Sequence, residues 1–196
     1  MPQSRRPRES FAERRERRAA VDDPAVVLEA AARFLEARSR SVAEVRRRLA
    51  RAGYRAELVD GAIARLAELG MLDDEAFGRA WVESRDRARP RGEIALRREL
   101  ALKGVDRAIV DEVLEERRSA APDEGGPGNA DHAAAERLLA RNRRALERIA
   151  DPRQRRQRAY GLLARNGFDP ETCREAASAW MVATDAIAGE PGDPEV

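Results

Sequence analysis

Aromatic side chains, cysteine, histidine and lysine are all scarce in this chain, and each scarcity closes a class of function. Cysteine occurs once, at Cys173, so no intrachain disulfide and no thiolate metal site can form. The single histidine, His132, has no cysteine near it and reads as an exposed first-turn residue, not a metal ligand. Ser41 and Ser84 therefore have no imidazole to activate them. Neither G-x-x-x-x-G-K-[ST] nor G-x-G-x-x-G occurs, and the glycine-rich GGPGN lacks both a preceding strand and a lysine. Asp73 and Asp74 are adjacent carboxylates at a helix start, where capping and the helix dipole account for them. No apolar run approaches the ~18 residues of a membrane span, and no signal-peptide core is visible. The expectation is a cytoplasmic protein that is not an enzyme and uses no cofactor, metal or membrane.

With aromatics at only 4%, the core must be built from Ala, Leu, Val and Ile. Charged residues reach 38%, well above the usual quarter, as in exposed helices with narrow apolar seams. Lys103 is the sole lysine among 38 basic residues. Net charge is only +2, but residues 1–18 hold seven Arg against three Glu, and residues 131–168 hold ten Arg against four acids. From Asp169 onward one Arg faces seven acids. Such segregation suits a polyanionic partner or an acidic protein surface.

Apolar residues recur at helical spacing throughout, and no segment alternates as a strand does. Val26, Val27, Ala30, Ala31, Phe34 and Leu35 form one stripe after Asp23–Pro24. The "SVAE" capping box at Ser41 opens a second helix with Val42, Val45 and Leu49, and a third carries Leu58, Val59, Ala62, Ile63, Leu66 and Leu69. The pattern restarts at "LDDEAFGRAWV", with Phe77, Ala80 and Trp81 expected inside. Ile94, Leu96 and Leu100, then Ile109, Val110, Val113 and Leu114, follow. After "SAAPDEGGPGNAD", Leu138, Leu139, Leu146 and Ile149 are expected on one helix; another leads to Gly167, and Cys173, Ala176, Ala177 and Trp180 mark the last.

One helix ending is written three times, as "LARAGY", "LALKGV" and "LARNGF", with Gly53, Gly104 and Gly167 each four residues after a leucine and each followed by a large apolar residue. A left-handed glycine stop explains each one, and three in register mark a repeat. The fold class expected is all-α: three tandem three-helix repeats forming an elongated, curved helical array. Its expected parts are a basic, largely disordered arm over 1–23, with a solvated helix starting at the "SFAE" capping box; repeats over 24–70, 71–118 and 131–182; a flexible linker over 119–130; and an acidic disordered tail over 183–196.

The string "GMLDDEAFGRAWVESR" followed by "RPRGEIALRRELALKGV" resembles the RecX family of bacterial regulatory proteins, over about residues 24–180 and most strongly over 41–114. Gly78 stands where the family usually has Ala. The resemblance implies a monomeric modulator that binds the RecA nucleoprotein filament and restrains its ATPase, recombinase and coprotease activities, and with them recombination, DNA repair and the SOS response. Candidate contact residues lie on the basic faces: Arg46, Arg47 and Arg51 in the first repeat; Arg89, Arg91, Arg98 and Lys103 in the second; Arg141, Arg144, Arg153, Arg155, Arg156 and Arg158 in the third. A DNA-binding regulator of weak, nonspecific affinity stays open as the alternative, as does a helical scaffold for another protein. Sequence-specific readout is disfavoured, because Glu57, Asp60 and Glu68 would face phosphates and no Asn or Gln lies on that helix.

Overall fold

The computed structural model describes residues 10–120 and 130–188. The expectations for residues 1–9, 121–129 and 189–196 (part of the arm, most of the linker and the end of the tail) lie outside the described residues. Helix α1 (Phe11–Ala19) precedes the repeats; α2 (Pro24–Glu36), α3 (Val42–Ala52) and α4 (Ala56–Glu68) form the first. The second is α5 (Asp74–Ala88), α6 (Glu93–Lys103) and α7 (Arg107–Ser119). The third contains α8 (Ala130–Arg141), α9 (Arg143–Glu147), α10 (Pro152–Arg165) and α11 (Pro170–Ala188). Among the described residues there is no strand, and the all-α tandem three-helix class holds.

Local chemistry sets these boundaries. Ser10 and Ser41 form reciprocal capping boxes with Glu13 and Glu44, while Asp23 and Asp151 cap helices that begin with proline. Gly53, Gly104 and Gly167 take φ of 104°, 81° and 81°, the left-handed values that let a helix stop with its last carbonyls satisfied. Gly53 N–H donates to Leu49 and Ala50 carbonyls, and Phe168 N–H reaches Leu163 O. Leu49, Leu100 and Leu163, four residues before each glycine, are fully buried. Val105 and Phe168 after two of the glycines are buried, and Tyr54 is half-buried.

The chain divides into two compact units, one of residues up to Phe77 with Lys103–Asp106, the other of Gly78–Leu102 with the chain from Arg107 on. In the first unit Val27, Ala31, Val45, Leu49, Val59, Ala62, Ile63, Leu66 and Leu72 form the core. In the second, Ala134, Ala135, Leu139, Leu146, Ala159, Leu163, Phe168, Cys173, Ala176 and Ala177 form a core, with Tyr160 and Trp180 packed against it.

Several local expectations need correction. Ala80 is exposed and Val82 is buried instead, so α5 turns a different edge inward. Leu69 at a helix end and Ile94 in a first helical turn lie 50% and 58% exposed, since terminal turns project past the seam. The helix expected through Leu138–Ile149 breaks at Asn142, whose side-chain amide donates to Leu138 O at 2.8 Å and competes with the helix ladder.

Candidate partner-binding surface

The repeated glycine turn is first of all a joint. In the first unit, the carbonyl of Lys103, one residue before Gly104, accepts from Ser41 Oγ at 2.7 Å and from Arg47 at 3.1 Å. Lys103 Nζ donates to Glu44 Oε1 at 2.8 Å, and a Cβ on Gly104 would lie 2.5 Å from Ala43 Cβ. In the second unit, the carbonyl of Asn166, one residue before Gly167, accepts from Gly92 N–H at 3.1 Å. Gly167 O accepts from Ile94 N–H at 3.2 Å, and a Cβ on Gly167 would fall 2.4 Å from Ala95 Cβ. Ser41 and Gly92 each stand twelve residues before a repeat glycine, so the two contacts are equivalent. At the second joint the orphan carbonyls closing one helix meet backbone N–H donors opening another; at the first, the closing carbonyl is met by side chains from the start of α3, Ser41 Oγ and Arg47.

The "LDD" string and Trp81 belong to this framework as well. Leu72 is buried, Asp73 accepts from Glu75 and Ala76 N–H, and Asp74 Oδ1 accepts from Val42 N–H at 2.8 Å. Burial pushes the Asp74 carboxyl above its ordinary value; the Val42 hydrogen bond opposes this, and Asp73 and Glu44 add to it. For Glu44, burial acts upward too, but the Lys103 ammonium and the Ser41 N–H outweigh it and hold the carboxyl low. Trp81 Nε1 donates to Glu99 at 2.9 Å, and Arg85 donates to the same carboxylate at 2.6 Å while lying 4.4 Å from the Trp81 ring centroid.

This framework engages seven of the thirteen candidate cations. Lys103 and Arg47 serve the first joint, and Arg91 donates to Asn166 Oδ1 at 2.5 Å in the second. Arg46 pairs with Asp60 at 2.9 Å. Arg141 donates to the carbonyls of Arg87 and Ala88, Arg155 to Ile149 O, and Arg156 to Ser178 Oγ. The other six (Arg51, Arg89, Arg98, Arg144, Arg153 and Arg158) are exposed, and their guanidinium groups have no carboxylate or hydrogen-bond partner among the described residues. Arg148 and Arg165, which the sequence reading did not select, are equally open. Arg144, Arg148, Arg153, Arg158 and Arg165 all fall on the α9–α10 segment, where residues 141–165 hold nine arginines against Glu147 and Asp151. A groove of about 880 Å³ there is lined by Gln154, Gln157, Arg158, Tyr160 and Arg165, among others. Open guanidinium forks of this kind bind carboxylate or phosphate.

A buried ionic triad is the feature sequence reasoning missed. Arg117 on α7, its side chain 6% exposed, donates to both oxygens of Asp86 at 2.8 and 2.9 Å and to Asp131 Oδ1 at 2.5 Å. Asp131, 5% exposed, also accepts from Glu93 N–H at 2.9 Å. Burial opposes the charge on Arg117, but Asp86 and then Asp131 outweigh it and raise the guanidinium further. Burial lifts the Asp131 carboxyl, partly offset by Glu93 N–H and Arg117. The three residues are 14 to 45 positions apart and sit in ordinary charged helix context, so no local spacing marks them.

His132 and Cys173 both have partners within the fold. His132 is half-buried with Nε2 2.9 Å from Glu175. Cys173 is buried and its thiol is pushed up to about 11, by burial first and then by Asp169 and Asp131. No group of three or more His, Cys, Asp or Glu among the described residues could hold a metal. No described helix is long and apolar enough to cross a membrane.

Comparison with known proteins gives a consistent result. The family profile described as RecX, first three-helix domain, matches residues 28–66, and that described as RecX, second three-helix domain, matches residues 73–114. A regulatory protein RecX of Mycolicibacterium vanbaalenii is 34% identical over 143 residues, covering 70% of this chain and 72% of its own. One of Pelodictyon phaeoclathratiforme is 36% identical over 146 residues, covering 74% and 83%. The crystal structure of RecX from Lactobacillus salivarius shares the fold with a TM-score of 0.68 at 17% identity, over 82% of this chain and 98% of that one.

Proposed function

The chain belongs to the RecX family, and from that premise we propose that it is a non-enzymatic, cytoplasmic regulator that binds a RecA filament and lowers its ATPase, recombinase and coprotease activities. The observation that supports this reading best is the unpartnered arginine set on α9 and α10. A regulator that works by binding needs a surface its own fold leaves uncompensated, and Arg144, Arg153 and Arg158 have that character while Lys103 and Arg47 do not. An acidic protein surface and a phosphate backbone are both within the chemistry of these forks. Through this role the protein restrains recombination and the SOS response.

Titrating the protein into a RecA assay with single-stranded DNA tests the reading. ATP hydrolysis is expected to fall at near-stoichiometric protein, and an unchanged rate at large molar excess refutes it. Arg144→Glu/Arg153→Glu/Arg158→Glu is expected to weaken inhibition by roughly tenfold, since each exposed pair contributes up to ~1 kcal/mol and reversal adds repulsion. Arg153 and Arg158 are exposed, so helicity stays unchanged. The competing reading, nonspecific DNA binding alone, predicts tight duplex binding without RecA whose affinity drops steeply with salt.

A further inference from the structure

Helix α1 contributes no buried residue, yet it lies against the closing turn of α3. A Cβ on Gly53 would fall 2.6 Å from Arg15 Cγ and 2.8 Å from Arg15 O. The Arg18 guanidinium sits 5.8 Å from the Tyr54 ring centroid. Gly53 is the first of the repeat glycines, and α1 covers it much as the first turns of α3 and α6 cover Gly104 and Gly167. Beside this contact runs a groove of about 560 Å³ lined by Phe11, Arg15, Arg18, Arg48 and Arg51, together with the small side chains of Ala50 and Ala52. Phe11 at its lip is 64% exposed.

The arginines of the groove differ from several others in their unit. Arg33, Arg46, Arg55 and Arg65 each hold a carboxylate within 2.9 Å. The four groove arginines have no carboxylate among the described residues; Arg18 and Arg48 meet only the faces of Tyr54 and Phe34. Four like charges around one groove repel one another, and an anionic ligand relieves that repulsion. A nucleic-acid strand is held by successive stacking faces, whereas this groove offers one exposed ring and two alanines. One large apolar side chain flanked by carboxylates matches that lining better.

We infer that this groove is the docking site for an acidic segment of the protein partner that carries a large apolar side chain, with carboxylates on Arg15, Arg48 and Arg51 and the apolar group against Phe11. The identity of the partner rests on the filament-binding reading above; the groove itself is separate from the α9–α10 face. Docking also stabilises α1, whose nine residues fall short of the ~12–15 that an isolated helix needs in water.

Fluorescence anisotropy with the full chain tests this, using a labelled glutamate-rich octapeptide bearing one phenylalanine and one leucine, beside an all-glutamate octapeptide and an oligothymidylate. Arg15→Glu/Arg48→Glu is expected to weaken the apolar-bearing peptide about tenfold, equivalent to ~1.4 kcal/mol. Phe11→Ala is expected to weaken it several-fold and leave the all-glutamate peptide unchanged. Circular dichroism establishes that both variants keep their helicity. The assignment is overturned if neither variant alters peptide binding, or if the all-glutamate peptide binds as well as the apolar-bearing one. It is equally overturned if the oligothymidylate displaces the peptide more strongly through the same arginines, or if truncation after Val182 tightens the peptide, which would make the chain's own acidic tail the occupant. A RecA ATPase titration run in parallel separates the two ideas. Inhibition without peptide binding removes the groove assignment alone, and peptide binding without inhibition removes the filament reading.

Discussion

Replacing Arg117 by methionine strips the partner from two carboxylates at once. Asp131, 5% exposed, loses its guanidinium partner while keeping the Glu93 N–H, and Asp86 keeps Arg137, 3.8 Å away. Removing one member of a buried ion pair costs about 3–5 kcal/mol, because an uncompensated charge stays behind. The cost has a defined pH signature. Burial already lifts the Asp131 carboxyl, and Arg117 is one of the two groups that offset it. In the variant the folded-state value climbs further above the unfolded one, so the destabilisation is full at neutral pH and is relieved as pH falls and the carboxyl protonates. Both tryptophans, Trp81 and Trp180, belong to the same unit as the triad. Urea unfolding followed by their fluorescence therefore reads that unit. A second variant, Arg117→Met/Asp86→Leu/Asp131→Asn, removes the charges together but keeps an acceptor for Glu93 N–H. It is expected to recover most of the loss, since an apolar replacement of a whole buried ion cluster is often neutral or better. A loss below ~1 kcal/mol for Arg117→Met, or one that does not shrink between pH 7 and acid, would show that the triad behaves as solvated surface pairs.

Other outcomes follow from the same geometry. Gly167→Ala is expected to cost on the order of 2 kcal/mol or more by tryptophan-detected urea melts. Its φ of 81° disfavours any Cβ, and the new atom would sit 2.5 Å from the Ala95 amide nitrogen. Gly61→Ala is the opposite case: it is a helical position with nothing within 4 Å, and circular dichroism should register a gain of about 0.5–1 kcal/mol. Asp74 and Glu44, at one joint, should respond to neutralisation with opposite signs. Asp74 is raised in the folded state, so its charge is a burden at neutral pH. Asp74→Asn, which keeps the acceptor for Val42 N–H, should raise Tm at pH 7, with the gain vanishing below its ordinary value of 3.8. Glu44 is lowered, so it contributes stability above its ordinary value of 4.5 and loses it as pH falls through the folded value. Glu44→Gln should therefore lower Tm at pH 7 and approach wild type in acid.

Legibility in the sequence followed the range of the interactions. Capping boxes at Ser10 and Ser41, the proline starts after Asp23 and Asp151, and the left-handed glycines of the repeat are set by residues within a turn of each other, so their positions could be read directly. Interior positions of the long seams (Val59, Ala62, Ile63, Leu66, Val113, Leu114) were equally clear from periodicity. The seam ends were not: Leu69 and Ile94 keep the period yet face solvent, and Ala80 yields to Val82, because which edge is covered depends on a neighbour supplied by another part of the chain. Arginine clusters showed the same limit. A run such as Arg153–Arg158 reads as one basic face, but the fold engages Arg155 and Arg156 with a carbonyl and a hydroxyl and leaves Arg153 and Arg158 open.

By itself the sequence determined most of the helices and their stops, the threefold repeat and the family, since all of these rest on short-range backbone chemistry and on patterns that repeat in register. Only the tertiary structure decided what the repeat is for locally, and which charges are free. The glycine turn is a joint because a Cβ-less backbone lets a helix end come within van der Waals distance of another helix start, with carbonyls of one meeting donors of the other. Arg117 is a buried linchpin and Arg158 an open fork for the same reason: a guanidinium's role depends on whether carboxylates from distant helices converge on it, and no local pattern encodes that convergence.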